Sequence, residues 1–289
     1  MYVYNKERLI VLLGDLLKKN IPESGWNWLR EKTLMLTSGH LFTAFMTAPR
    51  FTGKSLLTPG KEELKEIHDI RNGFTVSGFT ADRLARIWLL LHLPHEDKTA
   101  YLKTIHPLFQ SAEMNELAAL YSALPVLAYP EDWTPRCVEG IRSNIGIVLE
   151  AIMYNNPYPS EYLDQPAWNQ MVLKAFFTEK KVYLIHALDQ RANQALAYML
   201  SDYAHERWAA HRTVNPQLWR LLGKFLDERT FPDIQKLFDL GDEREKLSAA
   251  LACAQSEYGP AKVLLHKMPH LESAIKDNKL TWEILANDP

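Results

Sequence analysis

The side chains best suited to chemistry are concentrated between Asn155 and Asn193. The segment NNPYPSEYLDQPAWNQMVLKAFF places amides, prolines and tyrosines before a largely apolar helix, and HALDQRANQ adds a second polar turn. Two polar turns that flank one buried helix can form an apolar pocket floor with polar walls, the usual make-up of a small-molecule site. The candidate ligand-binding residues are Asn155, Asn156, Tyr158, Trp168, Asn169, Gln170, Lys174, Asp189, Arg191 and Asn193.

The expected roles of these residues follow from their side chains. Trp168 would stack on a ligand, the amides would hydrogen-bond it, and Lys174 or Arg191 would meet an anionic group. A structural interpretation explains the same residues: the amides and Asp189 cap helices, Arg191 bridges a carboxylate, and the aromatic rings fill the core. The sequence leaves both interpretations open.

Two other segments are similar to known motifs but lack essential features. In APRFTGKS, Ala48–Ser55, the order Gly-Lys-Ser is that of a phosphate-binding loop. Alanine replaces the first glycine, however, and Pro59 would stop the helix that must follow. In AHERWAAH, His205 and His211 are too far apart to share the helical face that a zinc-binding HExxH helix provides. We therefore expect neither nucleotide nor metal binding, and we predict no cofactor.

Composition excludes several classes of protein. The net charge of −2 over 289 residues shows no basic excess that would point to a nucleic-acid partner, although a local basic groove stays open. The two cysteines, Cys137 and Cys253, lack metal or disulfide spacing. No apolar stretch approaches the roughly 20 residues that cross a bilayer. The chain contains no GxSxG or DDxxD motif, so the sequence favours a non-catalytic protein and leaves catalysis open.

Helical periodicity dominates the chain, and alternating β-branched runs are nearly absent. The segment VYLIHA, Val182–Ala187, is the best strand candidate, but it is also compatible with helix. A weak repeat, in which Leu84–Leu91 matches Leu117–Leu124, is typical of stacked helical hairpins. We predict an all-α fold, either a HEAT-like α-solenoid or an irregular helical bundle.

We expect one domain over residues 1–289, with an internal boundary near 129–135 if there is one. The segment Phe51–Phe79 is predicted to be a long excursion or a surface insertion with one short helix. The predicted helices are Phe79–Leu93, Glu113–Leu124, Trp133–Tyr154, Trp168–Phe177, Gln194–Arg212, Asn215–Glu228, Phe231–Leu240, Asp242–Glu257 and Gly259–Met268.

Several blocks of the chain resemble the EboA family of metabolite traffic proteins. The resemblance rests on RSNIGIVLEAIMYNNPYPSEYLDQPAWNQMVLKAFF, LDQRAN, YAHERWAAHR and APRFTGK, of which WNQMVLK and ERWAA are the most specific. It implies a cytoplasmic bacterial protein encoded beside a prenyltransferase-like membrane protein and several enzymes. Such gene clusters are linked to the movement of a secondary-metabolite precursor toward export. The resemblance supplies no catalytic residues.

These observations lead to three hypotheses about function. The first is a non-catalytic protein that binds an aromatic or prenylated metabolite, or the proteins that handle it, through Asn155–Asn193. The second is an α-solenoid scaffold whose groove takes a partner helix. The third is an enzyme acting on a small aromatic or prenylated metabolite, with Lys174, Asp189, Glu206 or a histidine converging in an enclosed pocket. Peripheral membrane contact stays open in all three.

Overall fold

A computed structural model describes residues 3–34 and 36–287 of the chain. Within these ranges the regular structure is helical and contains no β-strand; Leu56 and Thr80 form an isolated antiparallel bridge. The all-α prediction is thus confirmed, whereas the choice between solenoid and irregular bundle stays a prediction. The chain forms two compact units, Met1–Asp164 and Gln165–Pro289. The single-domain interpretation also stays a prediction.

The first unit has its core around one almost completely buried helix, α5, which packs on α1, α3 and α7. The repeated segments of the sequence are α5 and α7, and they pack against each other. The α-helices of this unit are α1 Lys6–Asn20, α2 Glu23–Thr33, α3 Ser38–Thr52, α4 Lys61–Ile70, α5 Ala81–Leu91, α6 Lys98–Ser111, α7 Met114–Ala123, α8 Thr134–Arg142, α9 Gly146–Met153 and α10 Tyr158–Tyr162.

A proline inside α3 creates the contact that joins this helix to α5. Pro49 has no N–H and cannot donate to the carbonyl of Phe45 four residues earlier. The Nε of Arg86 on α5 donates to that carbonyl instead, at 2.9 Å. Arg86 is buried and also donates to Asp82 at 2.6 Å, so the buried charge is paired.

The predicted helix Trp133–Tyr154 is wrong, because the structure divides it into two α-helices. A short 3-10 turn, Pro130–Trp133, leads into α8, and extended backbone at Ser143 and Ile145 separates α8 from α9. The apolar spacing continues across the break because both helices bury one face. They pack on each other, and the backbone of Gly140 comes so close to α7 and α9 that a Cβ there would lie 2.5 Å from the Tyr121 ring.

The prediction that Phe51–Phe79 is a surface insertion is wrong in its second half. Phe74 and Val76 are buried, and so is the side chain of Arg71. Arg71 donates to both carboxylate oxygens of Glu161 and, through Nε, to the carbonyl of Pro125 at 2.8 Å. This arrangement is the bidentate geometry that arginine forms with carboxylates, and it ties the segment to the core of its unit.

The second unit surrounds α14, which packs on α13, α15, α16 and α17. The predicted helix Phe231–Leu240 has the observed bounds of α13. The α-helices of this unit are α11 Gln165–Phe177, α12 Gln194–Ala209, α13 Phe231–Leu240, α14 Glu243–Gln255, α15 Gly259–His266, α16 Pro269–Lys276 and α17 Trp282–Asn287.

Two segments of the second unit form 3-10 turns, one at the strand candidate and one in place of a predicted helix. The strand candidate Val182–Ala187 contains a 3-10 turn, Val182–Leu184. The predicted helix Asn215–Glu228 consists of the turns Pro216–Leu221 and Gly223–Phe225. A Cβ on Gly223 would lie 2.9 Å from the carbonyl oxygen of Ala252, so this turn follows the backbone of α14 closely.

Candidate functional site

The first three predicted ligand residues lie in the first unit, at the turn after α9. Asn155 is exposed and has a left-handed backbone, with φ 49°. Asn156 is buried: its Nδ2 donates to the carbonyls of Tyr121 and Ala151, and its Oδ1 accepts from the N–H of Tyr158. All the polar groups of the Asn156 amide are therefore used to hold the turn against α7 and α9.

Tyr158 is also built into the core of the first unit. Its side chain is fully buried, its hydroxyl donates to the carbonyl of Pro130, and its ring stacks on Tyr162 with centroids 4.9 Å apart. Burial raises the pKa of the Tyr158 hydroxyl well above its usual range. The hydroxyl is therefore neutral at every physiological pH and acts as a structural donor.

Trp168 and Arg191 come together in the second unit. The guanidinium of Arg191 lies over the Trp168 ring, 4.9 Å from its centroid. The indole is fully buried, and its Nε1 has no hydrogen-bond partner among the residues in 3–34 and 36–287. The cation covers the ring at the position where a stacked ligand is expected.

Asn169 and Asn193 form a second pair, made of two side-chain amides. The Nδ2 of Asn193 donates to the Oδ1 of Asn169 at 2.9 Å, and the reverse bond is 3.2 Å long. Asn193 is also the N-cap of α12, because its Oδ1 accepts from the N–H of Leu196. This is the capping role that the structural interpretation assigns to the amides of the region.

The remaining three predicted residues have different surroundings. Asp189 accepts from two N–H groups of Arg220, so its carboxylate is neutralised by a residue that the sequence patterns do not single out. Gln170 is exposed on α11, and Lys174 is half-buried one turn later. The structure thus brings together Trp168 with Arg191 and Asn169 with Asn193, and it places Asn155, Asn156 and Tyr158 in the other unit. Ligand binding by this set stays a prediction.

The two motif-like segments also have structural explanations. In APRFTGKS, the first five residues are the last turns of α3, and Gly53 ends the helix with φ 72°. The segment therefore does not lead from a strand into a helix. In AHERWAAH, the Nε2 of His205 lies 2.6 Å from Asp233, which also accepts from Ser201. No group of three metal-ligating side chains occurs in the part of the chain that the structure covers.

A groove between α2 and α3 in the first unit is a feature that the sequence patterns do not predict. Its cavity volume is about 750 Å³, within the range of small-molecule sites. Trp28 and Phe51 are stacked at this groove, with ring centroids 4.2 Å apart and planes 7° from parallel. The other residues that line the groove are Glu31, Lys32, Leu34, His40, Thr43, Ala44, Thr47 and Arg50.

The charges of the α2–α3 groove are predominantly positive. Lys32 lies 6.0 Å from the centroid of the Trp28 ring, and its one hydrogen bond to a described residue is a long bond of 3.4 Å with Glu31. Arg50 is exposed, and its guanidinium has no ion pair or hydrogen bond with any residue that the structure describes. An arginine without a carboxylate beside two stacked rings is suited to an anionic aromatic ligand.

Close contact between two backbones sets the shape of this groove. A Cβ on Gly25 would lie 2.2 Å from the carbonyl oxygen of Phe51, so α2 passes the end of α3 with no room for a side chain. Trp28 follows Gly25 by three residues and lies on the same face of α2, which brings the indole over Phe51. The sequence signal for this site is the tryptophan-rich GWNW followed by Lys32, with Arg50–Phe51 as its distant partner.

Trp26 lines a second cleft, between α2 and α5. This cleft has a volume of about 470 Å³ and is lined by Trp26, Asn27, Arg30, Glu31, Thr33, Leu34, Trp88 and His92. The ring centroids of Trp26 and Trp88 are 5.5 Å apart, and that of His92 lies 4.0 Å from that of Trp88. The two cavities border each other at Glu31 and Leu34.

A third cleft, of about 360 Å³, lies in the second unit. Trp208 lines it and stacks on Trp219, while the Nζ of Lys236 lies 3.7 Å from the centroid of the Trp208 ring. The Trp208 ring is therefore covered by the protein's own side chains, in contrast to the aromatic rings at the open α2–α3 groove.

Comparison with known proteins identifies the family of the chain. The family model described as metabolite traffic protein EboA matches residues 9–223, which is more than half of the chain. No curated protein and no solved structure matches the chain. Among the described residues, every helix is too short or too polar to cross a membrane. The family description associates such proteins with metabolite traffic, and on this match the chain belongs to the EboA family.

Proposed function

We propose that this chain is a non-catalytic carrier in metabolite traffic and that its α2–α3 groove binds a planar aromatic metabolite with an acidic group. The observation that carries the proposal is Arg50, which is unpaired among the residues that the structure describes and lies beside the Trp28–Phe51 stack. The aromatic part of the ligand would lie on these rings, and its carboxylate or phosphate would meet Arg50 and Lys32.

The openness of the groove suits a carrier. A traffic protein must take up its cargo from one protein and release it to another, and a ligand held in an open groove can leave without local unfolding. Phe51 keeps 41% of its surface exposed, so one partner of the stack is accessible without rearrangement. The cytoplasmic location and the protein partners that the family resemblance implies are part of this proposal.

Binding of matched anionic and neutral aromatic probes tests the proposal. We expect 2-naphthoate to bind more tightly than 2-naphthamide in isothermal titration calorimetry, because only the carboxylate can form an ion pair with Arg50. Replacement Arg50→Gln should weaken naphthoate binding about tenfold and leave naphthamide unchanged. Phe51→Ala should weaken both probes by roughly threefold to tenfold, since each loses an aromatic contact.

The control is Arg142→Gln, which removes an exposed arginine from α8 of the same unit. This variant should bind both probes as the wild type does. Equal affinity of Arg50→Gln and wild type for naphthoate would disprove the proposed role of the groove.

The predicted site at Asn155–Asn193 is a separate hypothesis with its own test. If Trp168 and Lys174 hold the ligand, their double replacement by alanine abolishes binding in a protein that keeps its helical circular dichroism. Retention of the ligand by this folded double variant would exclude the site.

A second candidate function is a scaffold whose α2–α3 groove takes an apolar partner helix. The observation that favours it is the exposure of large apolar side chains at these elements, with Leu34 81% and Met46 45% accessible. Leu34→Asp and Met46→Asp would then abolish binding of a partner protein from the native host. Unchanged partner binding by both variants would contradict the scaffold.

A further inference from the structure

His92 has one ring nitrogen that the fold leaves unused. Its Nδ1 lies 2.8 Å from the carbonyl oxygen of Trp88, and a carbonyl can only accept a hydrogen bond. Nδ1 must therefore carry the proton in the neutral ring. Nε2 is then a free acceptor, and it has no hydrogen-bond partner among the residues described.

The surroundings of His92 keep the ring neutral. Burial lowers the pKa of His92, and the nearby charge of Lys6 lowers it further, whereas the bond to Trp88 acts in the opposite direction. A neutral imidazole with Nδ1–H has a lone pair on Nε2, so this nitrogen accepts a hydrogen bond from a ligand instead of donating one.

Two indole rings contribute aromatic surface to this cleft. Trp26 and Trp88 line it, and their planes are tilted by 50°. The Nε1 of Trp88 donates to the carbonyl of Ile10 at 2.9 Å and does not compete for His92. The volume of about 470 Å³ accommodates a bicyclic aromatic molecule.

We propose that the cleft between α2 and α5 is a second ligand site, which binds a neutral aromatic molecule through an N–H or O–H group that donates to Nε2 of His92. Indoles and phenols are the ligand classes with this chemistry. The site differs from the α2–α3 groove because it selects a hydrogen-bond donor, whereas the groove selects a negative charge.

Indole and 1-methylindole are suitable probes, because they differ in the single N–H that the proposal requires. We expect indole to bind the wild-type protein about fivefold more tightly than 1-methylindole, which corresponds to one hydrogen bond. Replacement His92→Asn can retain a donor near Nδ1 but removes the acceptor. It should bring indole binding down to that of 1-methylindole, and His92→Gln should restore part of the preference.

A spectroscopic readout keeps the test decisive if His92→Asn does not fold. In the wild type, the 15N resonance of His92 Nε2 should shift on addition of indole and stay unchanged with 1-methylindole. Arg50→Gln should leave the preference for indole intact, which separates this site from the groove. Equal affinity for the two probes, absence of binding, or an unchanged Nε2 resonance with indole would overturn the proposal.

Discussion

At the scale of single residues, Trp168 shows how a buried polar atom without a partner affects the loss of stability that a mutation causes. Replacement Trp168→Ala should lower the free energy of unfolding by about 3–5 kcal/mol, because it empties a fully buried site. Trp168→Phe should cost less than half of that, since the lost Nε1 makes no hydrogen bond with the described residues. Urea denaturation of the purified variants measures both values.

Trp133 provides the matched control for this prediction. It is equally buried, but its Nε1 donates to the carbonyl of Ala128 at 2.8 Å. Trp133→Phe leaves that carbonyl without its partner and should cost about 1–3 kcal/mol more than Trp168→Phe. An equal loss of unfolding free energy in the two phenylalanine variants would show that the hydrogen bond of the indole Nε1 does not affect stability.

At the scale of elements, Gly25 decides how α2 lies against the end of α3. Replacement Gly25→Ala should lower the free energy of unfolding by about 1–3 kcal/mol, because the new methyl group overlaps the carbonyl of Phe51. The clash forces the two helices apart, so the Trp28–Phe51 stack should separate as well. Thermal unfolding reports the first effect, and tryptophan emission reports the second.

Gly39 on α3 is the control for the higher helix propensity that alanine has compared with glycine. A Cβ there would meet nothing within 4 Å, so Gly39→Ala should stabilise the protein by up to about 1 kcal/mol. If Gly25→Ala also stabilises the protein, α2 does not pass the carbonyl of Phe51 too closely for a methyl group.

A comparison of predicted and observed helices shows what the sequence can predict. The sequence predicts α13 with its observed bounds because its apolar spacing, its first-turn Pro232 and the following Gly241 all agree. It does not reveal the break between α8 and α9, because one apolar pattern runs through both. Nor does it reveal the α2–α3 groove, because Trp28 and Phe51 meet only through the tertiary contact at Gly25, which local spacing does not contain.

At the scale of the whole molecule, three histidines link stability to pH. Burial lowers the pKa of His92, His95 and His106 below the usual 6.5. The unfolded chain therefore binds these protons at a higher pH than the folded chain does. Stability should be constant well above about pH 6.5 and fall as the pH decreases from there to the folded-state pKa values, below which the loss levels off.

Urea denaturation at pH 7.5, 6.0 and 5.0 measures this effect. The variant with all three histidines replaced by glutamine should lose most of the decline in this range. Glu63, Glu96 and Glu272 have pKa values lowered from 4.5, so the loss of stability caused by their protonation begins at more acidic pH. A wild-type protein that is equally stable at pH 7.5 and 5.0 would contradict the prediction.

The backbone of Gly223 packs closely on α14, and this contact limits which C-terminal segments can be exchanged between related proteins. The family match ends at this residue, yet the carbonyl of Ala252, which leaves no room for a side chain there, belongs to the segment beyond the match. A chimaera that joins residues up to 223 to the C-terminal segment of another protein must therefore supply an equally close backbone opposite the splice. Without it, the recombined chain would keep a glycine that faces a void, and the transplanted segment would not close over the interior of its unit.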